Sequence, residues 1–262
     1  AIGYAAGDAV TTGIQNTIVG GLAGDALTDA DFNTAIGYAA LTSDTLGSRS
    51  TAVGYNTLTF QNFTTATQSY NTAVGYAAGE RISTATQNTC IGGEAGDALT
   101  TGSQNVAVGA FALTTETTSA NNVAIGREAL KTQNGAANNT AIGRAAGVSL
   151  TTGANNTFVG TGAAGNPTVT GNANNCVGMN TLYALTSGAN NTAMGDSAGV
   201  AITTGSNNLF LGHDTGRSGS PGGQFAASNN TMVLGDENIS QCFIQVDWTV
   251  SSDERDKTEF SE

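Results

Sequence analysis

Along almost the whole chain a large apolar residue stands directly before a glycine, at Gly3, Gly20, Gly37, Gly54, Gly75, Gly92, Gly109, Gly126, Gly143, Gly160, Gly178, Gly195, Gly212 and Gly235. Ten of the thirteen intervals between these glycines are 17 residues. A fixed period this short marks a solenoid, in which one unit cannot bury its apolar face alone and stacking supplies the core. Helical repeats need longer units, so 17 residues with several glycines leave room only for short strands and tight turns. Extended runs such as Thr34–Tyr38, bounded by Asn and Gly, predict two short strands and two turns per coil. The expected fold is an all-β parallel β-solenoid of about 14 coils, on the order of 65 Å long at the usual strand spacing.

Counted from the anchor glycine, each column has its own chemistry. The preceding residue is always large and apolar (Ile36, Val53, Ile125, Met194), which predicts the core column. One place earlier the residue is usually small and apolar (Ala35, Ala52, Cys90, Ala107, Ala124), and alternation sends it to the opposite face. A strand apolar on both faces is covered on both. The Ala column is therefore expected to meet a partner chain in a continuous contact.

Asparagine stands four residues before the glycine in eleven coils, including Asn33, Asn88, Asn122 and Asn156. Stacked amides can hydrogen-bond along the rod, so this column is expected to be structural. The residue after the glycine is chemically mixed (Tyr38, Arg127, Thr161, Asp196), as expected for a column facing water. There Tyr38, Tyr55 and Tyr76 fall on three successive coils, an arrangement suited to sugar rings or simply three surface tyrosines.

Three intervals are longer, that between Gly160 and Gly178 by a single residue and the other two by more. Four residues are gained between Gly54 and Gly75, around Phe60, Phe63 and Tyr70, and six between Gly212 and Gly235, around Phe225. Insertions in solenoids become loops on one face, so these aromatics join the tyrosines as receptor-binding candidates; a neutral loop is the plainer reading. The repeat occupies 1–235. Residues 236–252, with the single Trp248, read as a cap and connector, and 253–262 as a separate charged start: seven of the chain's 28 charges lie there.

Charged residues make up 11% of the chain and the net charge is −12, which argues against nucleic acid as a partner. No apolar run is long enough for a membrane-spanning helix. The composition suits an elongated, soluble, extracellular particle. Cys90 and Cys176 share a column five coils apart, too far for a disulfide, and are expected to be buried fillers. His213 has no nucleophile placed beside it, so no enzyme acting on a separate substrate is expected. Asp8, Asp25 and Asp97 read as solvated turn residues, and neither a metal nor a cofactor is called for.

The Asn-x-Ala-Ile-Gly coil, as in Asn33–Gly37, resembles the head repeats of trimeric autotransporter adhesins, over about 235 of 262 residues. The resemblance implies a left-handed β-roll in a homotrimer, with turns that differ because the family's repeats are shorter. Ser252-Asp-Glu-Arg-Asp-Lys257 resembles the opening of the intramolecular chaperone domain of bacteriophage tail fibres and tailspikes, of the endosialidase type. That resemblance implies a single self-cleavage after Ser252, with Lys257 as its base, in a longer protein of which this chain is a fragment. Together they imply a phage tail fibre segment on the virion. Its expected partners are two identical chains, other tail proteins and a glycan or protein on the host surface. The alternative is a bacterial trimeric surface adhesin. An ice-binding solenoid is remote, because pairs such as Thr11–Thr12 and Thr151–Thr152 point to opposite faces and build no flat array.

Overall fold

A computed structural model describes residues 1–165, 168–241 and 243. Its architecture is an all-β parallel β-solenoid with no helix among the described residues. Thirteen strands of three residues, from Thr17–Val19 to Met232–Leu234, form one parallel sheet in chain order. Pairing is column on column: Thr34 faces Thr51, Ala35 faces Ala52 and Ile36 faces Val53. Ile2 adds an isolated bridge to Val19 at the first edge.

Each coil contributes one strand to this sheet, where two were expected. The strand stops at the anchor glycine because the backbone there leaves the β region: Gly126 has φ +128°. A Cβ on Gly126 would stand 2.5 Å from the carbonyl oxygen of Gly143, so the coils approach too closely for any side chain. The remainder of the coil turns through left-handed residues, among them Ala39, Leu41 and Arg49 at φ 53°, 56° and 66°. These turns still hydrogen-bond between coils; the Ala39 amide donates to the Gly21 carbonyl at 3.0 Å and that of Asn56 to Tyr38 at 3.0 Å. A second sheet exists only locally, where Gly47–Ser48 pairs with Thr67–Gln68.

The two apolar columns are the reverse of expectation. The small column is the interior: Ala35, Ala52, Ala107, Ala124 and Cys176 are all fully buried within one chain. The large column faces outward, with Ile36, Ile125, Ile142 and Met194 at 37, 37, 39 and 52% exposure. The coil is so narrow at the strand that alanine fills the space, and the bulk of the core comes from turn residues on the other walls: Leu27, Leu41, Leu58, Leu99 and Leu113 are fully buried.

Volume is traded between columns to keep this interior filled. Four residues after the anchor, the chain carries mostly Leu (Leu113, Leu130, Leu182) or Gly (Gly147, Gly199, Gly216), with Ala164 and Ile239 as the exceptions. The glycines sit against the larger strand residues. A Cβ on Gly147 would be 2.8 Å from Phe158 and 2.9 Å from Leu130, and one on Gly216 would be 2.7 Å from Phe210. Buried leucines in a left-handed conformation, such as Leu113 at φ 53°, are held there by this packing although the conformation costs on the order of 1 kcal/mol or more.

The asparagine column closes the corner beside the strand as predicted. Asn139 Oδ1 accepts the backbone N–H of Asn156 at 2.9 Å, and Asn139 Nδ2 donates to the Gly153 carbonyl at 2.9 Å. The left-handed residue of this corner is not the asparagine but its predecessor, as at Asn121, Asn138 and Asn155. Amides are again direct partners between Asn174 and Asn191, at 3.0 Å.

The buried column seven residues after the anchor is mostly Leu or Ile, but acid and glutamine replace them in pairs on successive coils. Asp44 accepts from the amides of Gly47 and Phe63, both at 3.0 Å, and from Gln61 Nε2. Glu116 accepts from the amides of Thr117, Thr118 and Ser119 at 2.9, 3.0 and 2.8 Å, and from Gln133 Nε2 at 3.2 Å. No buried side-chain polar atom lacks a partner among the described residues. Burial nevertheless outweighs the hydrogen bonds at Asp44 and holds its carboxyl above the ordinary carboxylate range. Burial likewise pushes the Cys90 thiol up to about 12 and raises that of Cys176, which makes both the inert fillers expected of them.

Leu113→Ala leaves a cavity in a closed core and is expected to cost about 2–5 kcal/mol in denaturant unfolding. Gly147→Leu overpacks against Phe158, and combining it with Phe158→Ala should recover part of the loss; a double-mutant cycle with no coupling would contradict the volume trade. For Asp44 the folded carboxyl binds its proton more tightly than the unfolded one, so stability rises as pH falls through the raised value and levels off below the ordinary value. The midpoint temperature of the wild type is therefore expected to climb relative to Asp44→Asn between pH 7 and pH 4. Parallel curves would remove Asp44 as the cause.

Candidate functional site

Three exposed features are candidates for contact with other molecules. The first is the outer face of the long sheet. It consists of the large apolar column and, two residues earlier, a column that reads Thr17, Thr34, Thr51, Thr72, Thr89, Val106, Val123, Thr140 and Thr157 through its first nine strands. Neither column carries a charged residue over the thirteen strands, although the chain has a net charge of −12. Threonines thus do form a regular array. The pairs weighed in the sequence were the wrong ones, because the aligned threonines lie in the strand and not in the turn.

The second feature is the tyrosine ladder. Tyr38, Tyr55 and Tyr76 stack with ring centroids 5.5 Å apart at both steps and interplanar angles of 15° and 4°. They are about half exposed, at 50, 47 and 59%. Stacking covers the facing ring surfaces, so the ladder offers a row of edges and hydroxyls; broad faces remain only at its ends. Above Tyr76 the column continues with Gly93, where a Cβ would meet nothing within 4 Å.

The third lies at the opposite edge of the strands, five residues before the anchor. There the guanidinium of Arg49 stands 4.7 Å from the ring centre of Phe32 and 5.8 Å from that of Tyr70. Tyr70 donates its hydroxyl to Gln68 Oε1 at 2.6 Å. The four-residue insertion positions this stack, because it adds the strand Thr67–Gln68 beside Gly47–Ser48 and brings Tyr70 over Arg49. The sequence named Tyr70 but missed Phe32 and Arg49. Their signal was present: the left-handed column that elsewhere holds Gln, Asn or, once, Ala173 reads Phe, Arg, Tyr on three successive coils.

The other predicted residues separate. Phe60 is exposed at 55%, whereas Phe63 is buried at 5% and packs near Gly47, so it serves the small sheet and not a surface. Phe225 is partly buried and packs at 6.2 Å on the core residue Phe210; the six-residue insertion folds inward there. Asp25 and Asp97 each accept a hydrogen bond from a threonine one coil on, Thr42 and Thr114. His213 lies 3.4 Å from Asp236 and 3.6 Å from Asp214. Hydrogen bonds from Asn238 hold the carboxyl of Asp236 below the ordinary range, with a smaller contribution from His213. Ser252, Lys257, Cys242 and Trp248 lie outside the described residues.

Comparison with known protein families, with characterised proteins and with solved structures finds no match for this chain.

Proposed function

We propose that the chain is the host-receptor-binding shaft of a phage tail fibre, assembled as a homotrimer. The observation that carries the assembly is the uncharged outer face of the sheet. Large apolar residues stand outward on every strand, and a contiguous apolar patch of this length is unusual on a monomer. Covering it with a second copy removes Ile36, Ile91, Ile125, Ile142 and Met194 from water, at roughly 25 cal/mol per Å² of apolar surface. The contact is then made by the Ile/Val column and not by the Ala column, which is already inside. A stoichiometry of three is what the likeness to adhesin head repeats implies. The phage assignment rests on the Ser252–Lys257 signature, which also supports self-cleavage after Ser252 in a longer product; a bacterial surface adhesin is the alternative built on the same coils.

A different reading is favoured by one observation. Threonine in eight of the thirteen strands, beside the Ile and Val column, makes an uncharged face whose rungs repeat at the strand spacing, the kind of surface that orders water and binds ice. This reading needs the face uncovered, so it competes directly with assembly.

Solution mass decides between them. The wild type is expected to scatter light as about three times the 26.1 kDa chain. Placing Lys at Ile125 and Ile142 should give a folded monomer, because both side chains already reach the surface. Ala107→Glu with Ala124→Glu should instead unfold the chain, because these would bury unpaired carboxylates. A monomeric wild type at micromolar concentration would overturn the assembly, and thermal hysteresis is then the measurement that addresses ice.

A further inference from the structure

The receptor-binding reading leaves the receptor's chemistry open, and the Arg49 stack addresses it. Between the two edge columns and the small second sheet lies a groove of about 270 Å³ whose walls include Asp29, Asp31, Phe32, Arg49, Thr67 and Gln68. The Arg49 guanidinium lies over the Phe32 and Tyr70 rings, and the residue itself stays exposed. Among the described residues Arg127, Lys131 and Arg217 pair with a carboxylate, whereas Arg49, Arg81 and Arg144 do not, and of these three only Arg49 lies over aromatic rings. Arg49 has no such ion pair and its guanidinium donates no hydrogen bond there, although Asp29 and Asp31 share its groove.

Those two carboxylates are half engaged. Asp29 Oδ1 accepts from Thr12 Oγ1 at 2.5 Å and Asp31 Oδ1 from the Ile14 amide at 2.7 Å, which leaves the second oxygen of each as an acceptor. Gln68 is oriented by the Tyr70 hydroxyl on its Oε1, so its amide N–H groups are the part left to donate. The groove therefore offers a fork that takes one carboxylate, flanking acceptors that take hydroxyls, and aromatic rings beside them. The two aspartates repel any anion, so the ligand's charge must be single, held at the fork, and accompanied by hydroxyls that occupy the free carboxylate oxygens; a dianionic phosphate meets neither condition. A carboxylate is a monoanion and matches the fork in both charge and plane.

We infer that this groove binds a hexuronate unit of a surface polysaccharide, with Arg49 holding the sugar carboxylate and Asp29 and Asp31 accepting its hydroxyls. The inference rests on the receptor-binding reading and names both the site and the ligand class.

The column supplies its own benign control. Its other coils carry Gln15, Gln87 and Gln104 in the same left-handed conformation, so Arg49→Gln is tolerated by the fold. Glucuronate, galacturonate and mannuronate, each beside its neutral hexose, are titrated into isotopically labelled protein and followed by NMR shifts around Arg49. At least one uronate is expected to bind with shifts confined to the groove, and its neutral hexose about tenfold more weakly or less, as loss of a charge-assisted hydrogen bond predicts. Arg49→Gln should abolish this preference, and Arg49→Lys should lose most of it, because an ammonium cannot present the fork. The inference is overturned if no uronate shifts these resonances at tens of millimolar, if acid and neutral sugars bind alike, or if Arg49→Gln binds as the wild type does. Because the readout is a soluble sugar on the protein as it stands, it can fail while the trimeric mass holds, and the mass can fail while it succeeds.

Discussion

Backbone hydrogen bonding from each coil to the next is the interaction on which the rest of the structure depends. The Thr34 amide donates to the Ser50 carbonyl at 2.9 Å and the Gly54 amide to Ile36 at 2.7 Å, and equivalents recur up the rod. Because each coil satisfies its neighbour, a column that is wrong in one coil is wrong against two. This is why the glycine column is so nearly uniform: its carbonyls and Cα atoms lie where a side chain would be. It also explains how a chain with few large residues can fold, since 17-residue coils bury little each and stacking multiplies that little.

With the stack fixed, side chains divide into those that must repeat and those that are free. Inward columns trade volume locally, Phe158 with Gly147 and Phe210 with Gly199 and Gly216, so the core is conserved in total and not in detail. The Asn column repeats in eleven coils, because each amide closes the corner of its own coil against the next, with Ser50 and Thr231 as the exceptions. Outward columns are constrained by neither, and there the chemistry becomes particular: an uncharged Thr/Ile face, a tyrosine ladder, and an arginine between two rings. Each is a row of like or complementary side chains created by the pitch of the coil, which turns a periodic sequence into a periodic surface.

The break in the period has a structural use. Four added residues build a strand pair found nowhere else among the described coils, bury Phe63 beneath it and swing Tyr70 over Arg49. The larger insertion near Phe225 does the opposite and seals the core against Phe210. The first insertion, Thr- and Gln-rich, thus shapes a surface, and the second, rich in Gly and Ser, packs its aromatic ring on the interior.

The sequence by itself determined the repeat, the parallel solenoid, the asparagine corner and the inertness of Cys90 and Cys176, because each follows from a column that recurs at fixed spacing. It also determined that adjacent strand residues point to opposite faces. It could not say which face is the interior: large side chains are ordinarily the buried ones, but here Ala124 is inside and Ile125 outside. That choice depends on how much space the turn leucines leave across the coil, a property of closure and not of the strand. Likewise, the sequence showed Tyr38, Tyr55 and Tyr76 in one column but not that they spend their faces on one another. It held Phe32, Arg49 and Tyr70 in one column on three successive coils, but not the contact of the guanidinium with the two rings. Only the stacking of coils, with residues far apart in sequence brought to neighbouring rungs, made them a single site.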